Sequence, residues 1–230
     1  MRLNLVFHNI VLKEEEINGD YSLTLDYFEK LLENIETLLK SGLTRFKDIR
    51  YYFDDGYKSF KELVFPVMKD KTNLCCLAPI ANLLGSENYL NEGDIDFLSK
   101  SGIKIASHGF SHAALAVYKA NTLQKTPKGG EYKDSPSGKN EILSEKEVLF
   151  QFLESKRLLE NITKSEIDEF VFPYGLYNKE VIDLNNGKGI YKYLSTCDEH
   201  LDNGSAVRPR ILVSNKCPIK ETVEFIRSLE

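Results

Sequence analysis

The sequence lacks the features that mark membrane proteins and disulfide-rich proteins. No apolar run approaches the roughly 20 residues that a transmembrane helix needs. Residues 1–8 carry neither a long apolar region nor a small-residue cleavage site, so we expect a cytoplasmic protein without a membrane span. The four cysteines show no Cys-x-x-Cys spacing, and we expect reduced thiols rather than a metal or redox motif.

The chain also lacks an excess of basic residues. The chain has 30 lysines and arginines against 35 aspartates and glutamates, which gives a net charge of −5, and these charges are scattered along it. A nucleic-acid partner is therefore disfavoured, because such proteins use a basic stripe to neutralise phosphates. A small or neutral substrate fits better. No heptad seam is present, so the oligomeric state stays open.

The chain does have the composition of a globular domain. Its 230 residues are 42% hydrophobic and 28% charged, which argues for a well-formed core. We predict a single domain over 1–230. Around residues 115–142 we predict a polar loop insertion, because this stretch is rich in Lys, Gly, Pro and Ser and has no helical or strand periodicity. A mobile lid over a site is the alternative interpretation of that loop.

Strand and helix patterns alternate along the chain. Strands are predicted over residues 3–7, 49–53, 73–78, 103–107, 169–172, 191–196 and 210–213. Helices are predicted over residues 23–39, 59–68, 95–101, 145–161, 179–184 and 219–229. Repeated units of this kind favour a parallel α/β sheet covered by helices, and so many of them can close into a barrel. Reactive residues then follow the carboxyl ends of the strands.

Two of the four histidines lie close together after a predicted strand. His108 and His112 are four positions apart, so both imidazoles can face one side of a turn and chelate one ion. A pair of surface or capping histidines is the alternative. Asp54 and Asp55 also follow a predicted strand and are expected at the same end of the fold, where one carboxylate can bind metal and the other act as a base.

The aspartates and histidines are more informative together than apart. Asp54-Asp55-Gly56 alone fits an ordinary turn. Two histidines and one aspartate, however, form a ligand set that leaves positions open for water and substrate, as hydrolytic metal catalysis requires. A third segment, Pro173-Tyr174-Gly175, ends another predicted strand, and its backbone N–H can face a developing oxyanion or simply form a turn.

These three segments, in this order, resemble the polysaccharide deacetylases of carbohydrate esterase family four, also called NodB-like deacetylases. Residues 5–10 look like the family's first strand, and residues 144–160 look like the helix before its Pro-Tyr-Gly segment. The resemblance covers most of the chain. It implies a distorted (β/α) barrel, often with seven strands, which agrees with the alternation of strands and helices.

The resemblance also implies roles for individual residues. Asp54 aligns with the catalytic base, and Asp55, His108 and His112 align with the ligands of a divalent metal, usually Zn²⁺. Tyr174 aligns with the residue whose backbone N–H helps to hold the oxyanion. In the implied reaction the metal acidifies a water, Asp54 takes its proton, and the water attacks the N-acyl carbonyl.

The chain departs from the family pattern at two positions. Val171 stands where most members have an arginine, and Ser214 lies near the usual position of a late histidine that acts as the general acid. Either Arg208 or Arg210 can replace the missing guanidinium, and a surface arginine pair is the alternative. A variant of the third motif without the arginine also occurs in family members that act on surface polysaccharides and exopolysaccharides.

The general acid and the residues that line the pocket are less well defined. His8, at the end of the first strand, and His200 are candidates for the acid, with a structural histidine as the alternative. Candidates for substrate contacts are Pro173, Tyr174, Phe110, Tyr57, Tyr177 and Arg210. The absence of tryptophan favours a pocket for a small unit over a long polysaccharide groove.

We therefore expect a hydrolase that removes N-acetyl or other N-acyl groups from an amino sugar. Its substrate is a bacterial surface glycan or the nucleotide-linked or lipid-linked precursor, and the lack of a signal segment favours the precursor. Two alternatives remain at this point. One is a sugar-binding protein that has lost activity on the same fold, and the other is a hydrolase of a non-sugar C–N bond.

Overall fold

The computed structural model describes residues 1–42, 44–116 and 143–229. The predicted loop insertion falls mainly on residues 117–142 and therefore lies outside the described residues. The strands run as follows: β1 Arg2–Phe7, β2 Ile10–Val11, β3 Leu23–Thr24, β4 Asp48–Asp55, β5 Cys75–Pro79, β6 Lys104–Ile105, β7 Glu169–Val171, β8 Tyr193–Ser195, β9 Val207–Arg208 and β10 Ile211–Leu212.

Most of these strands form a parallel ring. The order β10-β1-β4-β5-β6 continues through a parallel bridge between Ser107 and Phe170 into β7-β8-β9. The ring closes because β9 pairs with β8 while β10, which begins three residues after β9 ends, pairs with β1. Counted as one strand, the stretch 207–212 is the seventh. The predicted distorted barrel is thus confirmed, and the short β2–β3 pair lies outside it.

The described residues form six α-helices around the ring: α1 Leu25–Ser41, α2 Phe65–Met68, α3 Glu92–Lys100, α4 Glu145–Thr163, α5 Lys179–Lys188 and α6 Ile219–Ser228. Three of these helices begin at a side-chain N-cap. Asn91, Ser144 and Asn178 each accept a hydrogen bond from a backbone N–H in the first turn of α3, α4 and α5, respectively. Gly42, in a left-handed conformation, ends α1. No described helix has the length and apolar character that a membrane span requires.

Side chains alternate between two cores along the strands. Val6 and Tyr52 belong to a small cluster inside the ring, together with Cys76, Ala78, Ala106 and Val171. Their neighbours Phe7 and Phe53 stack at 5.4 Å between ring centroids and pack in the larger core against the helices. This alternation sends residues 54, 108 and 210 toward the interior at the carboxyl end of the ring.

An ion cluster fills the amino-terminal end of the ring. Glu169 is fully buried; one carboxylate oxygen accepts hydrogen bonds from the hydroxyls of Tyr52, at 2.7 Å, and Ser195, at 2.6 Å. The other oxygen lies 2.6 Å from Arg208 Nη1 and 2.9 Å from Lys104 Nζ. Burial alone would raise the pKa of Glu169, but these two cations lower it to about 2.

Candidate active site

The two adjacent aspartates end β4 in different conformations. Asp54 pairs with Ala78 of β5 in regular strand register, whereas Asp55 has a φ of 71°. Successive residues of a strand face opposite sides, so the left-handed turn at Asp55 allows both carboxylates to reach the end of the ring. Gly56 follows with a φ of 85°, and a Cβ there would lie 2.8 Å from Cβ of Pro79. This turn therefore requires glycine.

The two histidines lie beside Asp55. His108 is buried, and its Nδ1 lies 2.9 Å from the backbone oxygen of Val171. That hydrogen bond favours the tautomer whose Nε2 is free to bind a metal. His112 has a φ of 57°, and its ring centroid lies 4.8 Å from that of His108.

The geometry of Asp55, His108 and His112 fits one metal ion. The Nε2 atoms of both histidines lie 3.4 Å from Oδ1 of Asp55, and one ligand atom from each residue lies within 4.8 Å of the others. Two ligand atoms about 2.1 Å from a tetrahedral Zn²⁺ lie about 3.4 Å apart. Within the described residues, Oδ1 of Asp55 is buried without a conventional hydrogen-bond partner, as expected of a metal ligand.

The electrostatics of Asp55 and His112 suit metal binding, whereas the carboxylates of Asp54 and Asp55 outweigh burial and raise the pKa of His108. Burial alone would raise the pKa of Asp55, but the neighbouring imidazoles of His108, His8 and His112 lower it. Burial and the neighbouring His108 lower the pKa of His112 to about 4. Asp55 is therefore ionised and His112 neutral near pH 7, which are the states that metal ligands need.

Asp54 is bound by a buried arginine. Nη1 of Arg210 donates to both carboxylate oxygens of Asp54, at 2.9 and 3.1 Å, and Nε donates to the backbone oxygen of Thr196 at 3.0 Å. Of the two arginines that can supply the missing guanidinium, Arg210 therefore contacts Asp54, whereas Arg208 pairs with Glu169. Arg210 has no exposed surface, which argues against its predicted contact with substrate.

The Pro173–Gly175 turn completes the group. Tyr174 has a φ of 59°, and its ring centroid lies 4.4 Å from that of His112. Pro173 is buried, and a Cβ on Gly175 would lie 2.8 Å from Cβ of Cys197. Asp55, His112 and Tyr174 are three of the five described non-glycine residues with positive φ. Left-handed backbone is thus concentrated at this end of the ring, as is common at functional sites.

The other predicted site residues lie at different distances from this centre. His8 is half-buried, stacks on Tyr21 at 5.2 Å, and is close enough to Asp55 for its charge to lower the pKa of that carboxyl. Its Nδ1 is buried without a partner among the described residues. His200 is exposed, with Nδ1 2.7 Å from the backbone oxygen of Asp198.

The aromatic candidates flank the centre on separate sides. Tyr57 stacks on Tyr89 at 5.1 Å, and burial together with the nearby Asp55 carboxylate raises the pKa of its phenol. Phe110 packs edge-on against Phe150 of α4 at 4.9 Å. Tyr177 stacks on Phe172, and its hydroxyl donates to Asp198 at 2.7 Å.

Gln151 of α4 is a residue of the site that sequence reasoning missed. Its Oε1 accepts hydrogen bonds from the backbone N–H groups of Phe110, at 3.0 Å, and Ser111, at 2.9 Å, and its Nε2 donates to Ser111 Oγ. The side chain therefore holds the turn between the two histidines. Its polar character on the buried face of α4, beside Val148 and Phe152, is the one sequence signal.

The sequence profile of the polysaccharide deacetylase family matches residues 42–193. This stretch contains the paired aspartates, both histidines and the Pro-Tyr-Gly turn. The chain therefore belongs to the polysaccharide deacetylase family, as the resemblance implied. A protein of Bacillus subtilis (strain 168) with the provisional name polysaccharide deacetylase YxkH is 25% identical over 144 residues, which are 63% of this chain. The match spans only 43% of that relative.

Solved structures share the fold over almost the whole chain. The deacetylase PplD of Streptococcus pyogenes, solved in complex with acetate, has a TM-score of 0.72 at 18% identity and covers 97% of both chains. A de-N-acetylase from Aggregatibacter actinomycetemcomitans has a TM-score of 0.73 at 16% identity, covering 97% of this chain and 99% of the other. IcaB from Ammonifex degensii has a TM-score of 0.72 at 16% identity, and the match covers 98% of this chain and 97% of the other.

Proposed function

We propose that this chain is a metal-dependent hydrolase that removes an N-acetyl or other N-acyl group from an amino sugar. The substrate is a glycan or its nucleotide-linked or lipid-linked precursor. The observation that carries the proposal is the division of labour between two neighbouring carboxylates. Asp55 faces two histidines in metal-ligand geometry, while Asp54 is held separately by Arg210. Family membership supports the same chemistry.

Asp55, His108 and His112 would hold the ion, and their oxygen and imidazole donors suit Zn²⁺. A bound divalent ion supplies Lewis acidity, which acidifies water and polarises a carbonyl. Asp54 accepts the proton of the attacking water, and Arg210 keeps its carboxylate oriented. The backbone N–H of Tyr174 donates to the developing oxyanion. His8 protonates the departing amine, with His200 as the alternative acid.

The presence of Arg210 on Asp54 favours an active enzyme over an inactive sugar-binding protein. The valine at position 171 suggested a lost contact to the base, yet a guanidinium reaches Asp54 from the stretch that closes the ring. The side chain of Val171 lies in the apolar interior, and only its backbone oxygen contacts His108. The contact that orients the base is thus supplied from another strand of the ring.

The test is acetate release from N-acetylglucosamine, its β-linked oligomers and its UDP-linked form, before and after treatment with a chelator. We expect turnover of at least one of these substrates, its loss on chelation, and its recovery with Zn²⁺. Turnover that survives complete removal of metal would contradict metal dependence. A fully metal-loaded protein that releases no acetate from any of them would contradict the substrate class.

A further inference from the structure

A chain of contacts runs through the interior of the ring from the Glu169 cluster to the candidate base. Its middle member is Tyr52, which lies two residues before Asp54 on β4 and has no exposed surface. Residues two apart on a strand face the same side, so Tyr52 and Asp54 both face the interior. The hydroxyl of Tyr52 donates to Glu169 Oε1 at 2.7 Å, and its ring centroid lies 5.0 Å from Cζ of Arg210. One side chain therefore contacts both buried ionic groups.

The apolar cluster inside the ring leaves room for this side chain. Its other buried members have no side chain larger than valine: Val6, Cys76, Ala78, Ala106 and Val171. Tyr52 is the one aromatic member of the cluster within the described part of the chain. Its ring therefore spans the interior between the layer of Glu169 and the layer of Arg210.

The guanidinium of Arg210 is only partly satisfied by conventional hydrogen bonds. Nε donates to the backbone oxygen of Thr196 at 3.0 Å, and Nη1 donates to Asp54. Nη2 lies 3.6 Å from Sγ of Cys197, which is a weak acceptor. A cation over the face of an aromatic ring is attracted by the π electrons, most strongly when both groups are removed from water. The ring of Tyr52 therefore helps to hold a guanidinium that has a weak acceptor at one of its two amino groups.

Glu169 in turn fixes the orientation of Tyr52. Burial and the Glu169 carboxylate raise the pKa of the Tyr52 phenol, so the hydroxyl stays protonated and donates. The carboxylate is itself held by Ser195 Oγ and Arg208 Nη1, each at 2.6 Å. It cannot shift without breaking these contacts, so the ring of Tyr52 has a fixed anchor.

The backbone links Glu169 and Arg210 a second time. Ser195, which donates to Glu169, lies on β8. The next residue, Thr196, accepts the Nε–H of Arg210 with its backbone oxygen. Arg208, which pairs with Glu169, lies two residues before Arg210. A disturbance of the Glu169 cluster therefore reaches Arg210 through the strands as well as through Tyr52.

We propose that Tyr52 is a positioning residue for the catalytic base. Anchored by Glu169, its ring holds the Arg210 guanidinium in the orientation that directs Asp54 toward the attacking water. The ion cluster at the amino-terminal end of the ring then contributes to turnover at the carboxyl end. This inference rests on the proposed function, because it deepens the account of the same site. It gives Tyr52 no contact with substrate or metal.

The test compares Tyr52→Leu and Tyr52→Phe with the wild type, on the substrate that the wild type turns over. Tyr52→Leu removes the ring, and we expect kcat to fall about tenfold while KM and the affinity for Zn²⁺ change by less than about twofold. Tyr52→Phe keeps the ring but loses the hydrogen bond to Glu169, so its kcat should lie between those of Tyr52→Leu and the wild type. If Tyr52→Leu does not fold, Tyr52→Phe decides the question by the same comparison.

A second measurement follows Arg210 directly and does not depend on activity. In metal-free protein, heteronuclear NMR measures the exchange of the Arg210 Nε–H with solvent, and the signal is assigned by its absence in Arg210→Lys. We expect exchange to be about tenfold faster in Tyr52→Leu and unchanged for the backbone amides of β5. Opening of the whole fold would instead accelerate both.

The matched control is Tyr27→Phe. The hydroxyl of Tyr27, on α1 outside the ring, donates to the backbone oxygen of Cys217 at 2.7 Å, so this variant loses a hydrogen bond of the same length. It should keep the wild-type kcat and the wild-type exchange of Arg210. A wild-type kcat in the folded Tyr52 variants, an equal loss of Zn²⁺ affinity, or unchanged exchange of Arg210 would overturn the inference and leave the deacetylase proposal standing. If the wild type releases no acetate, the proposed function fails first, and the exchange measurement alone then decides whether Tyr52 holds Arg210.

Discussion

Adjacent residues in this site have unlike environments. Asp54 continues the strand and meets Arg210, while Asp55 turns into left-handed backbone and meets the two histidines. The separation matters because a single carboxylate cannot bind a metal and also accept a proton efficiently from the attacking water. The left-handed conformation of Asp55 thus places two identical side chains in different environments, where they can have different roles.

Arg210→Met is predicted to destabilise the fold. Removing the guanidinium leaves Asp54 buried and unpaired, and breaking such a pair costs about 3–5 kcal/mol. The free energy of unfolding in urea measures the loss. In the double variant Asp54→Leu/Arg210→Met the orphan charge is absent, so this variant should be more stable than Arg210→Met alone. Equal stability of the two variants would show that the ion pair is not the cause.

Gly56→Ala tests the turn after Asp55. Its Cβ would lie 2.8 Å from Pro79, in addition to the strain of a positive φ. Gly189, which caps α5, has a φ of 61°, but a Cβ added there would meet no atom within 4 Å, so Gly189→Ala suffers the strain alone, about 1 kcal/mol. We expect Gly56→Ala to lose more stability in thermal unfolding and to bind metal more weakly. Similar losses in both variants would refute the steric account.

The sequence predicted that Asp55, His108 and His112 lie together, because each motif follows a strand of one parallel sheet. The structure brings Asp55, His108 and His112 within 4.8 Å of one another. The partner of Asp54 could not be chosen from the sequence. Arg210 lies 156 residues away, and Arg208 has the same alternation along the strand. Only the pairing of β9 and β10 with different neighbours decides which arginine reaches which carboxylate.

At the scale of elements, α4 supports the turn that carries His112. Gln151 accepts hydrogen bonds from the backbone N–H groups of residues 110 and 111. We predict that Gln151→Leu, which leaves both donors unpaired, weakens metal binding about 10- to 100-fold, the usual effect of losing a group that supports a metal ligand. Gln151→Glu keeps an acceptor and should bind metal more tightly than Gln151→Leu. A competition titration with a chromophoric chelator measures the affinities, and equal values for the two variants would contradict this role.

The observed bounds of several helices and strands differ from those predicted from the sequence. The first helix was predicted from residue 23 but starts at Leu25, because the Thr24 side chain accepts Tyr27 N–H as an N-cap. The strand predicted over 73–78 is Cys75–Pro79, preceded by a 3-10 turn. Residues 59–68, predicted as one helix, contain a π-helical segment, Phe60–Val64, before α2. The β2–β3 pair was missed because its strands have two residues each.

At the scale of the whole molecule, the closed ring contains two buried ionic layers. Asp54 and Arg210 lie at the carboxyl end, and Glu169 with Lys104 and Arg208 lies at the amino end. Tyr52 stands between them, since its hydroxyl binds Glu169 and its ring centroid lies 5.0 Å from Cζ of Arg210. The periodicity predicted the strands of this ring, but not which polar side chains meet inside it.

The Glu169 cluster predicts a specific acid sensitivity. The pKa of Glu169 falls from 4.5 to about 2 on folding. The ionised carboxylate therefore stabilises the folded state fully above pH 4.5, and this stabilisation is lost as the pH falls toward 2. At 1.36 kcal/mol per pKa unit this contribution is roughly 3 kcal/mol. In metal-free protein, the stability advantage of wild type over Glu169→Gln should shrink by about that amount between pH 4.5 and 2. Urea unfolding at several pH values measures it, and a constant difference would contradict the cluster's role.

The central claim is tested most directly by metal content and acetate release in Asp54→Asn and Asp55→Asn, measured beside the wild type on the substrate that the wild type turns over. The two substitutions are the same chemical change at neighbouring positions. The account predicts that Asp54→Asn retains about one metal per chain and loses turnover, whereas Asp55→Asn loses both. An Asp55→Asn variant that keeps its metal, or an Asp54→Asn variant that keeps its turnover, would contradict the assignment of base and ligand.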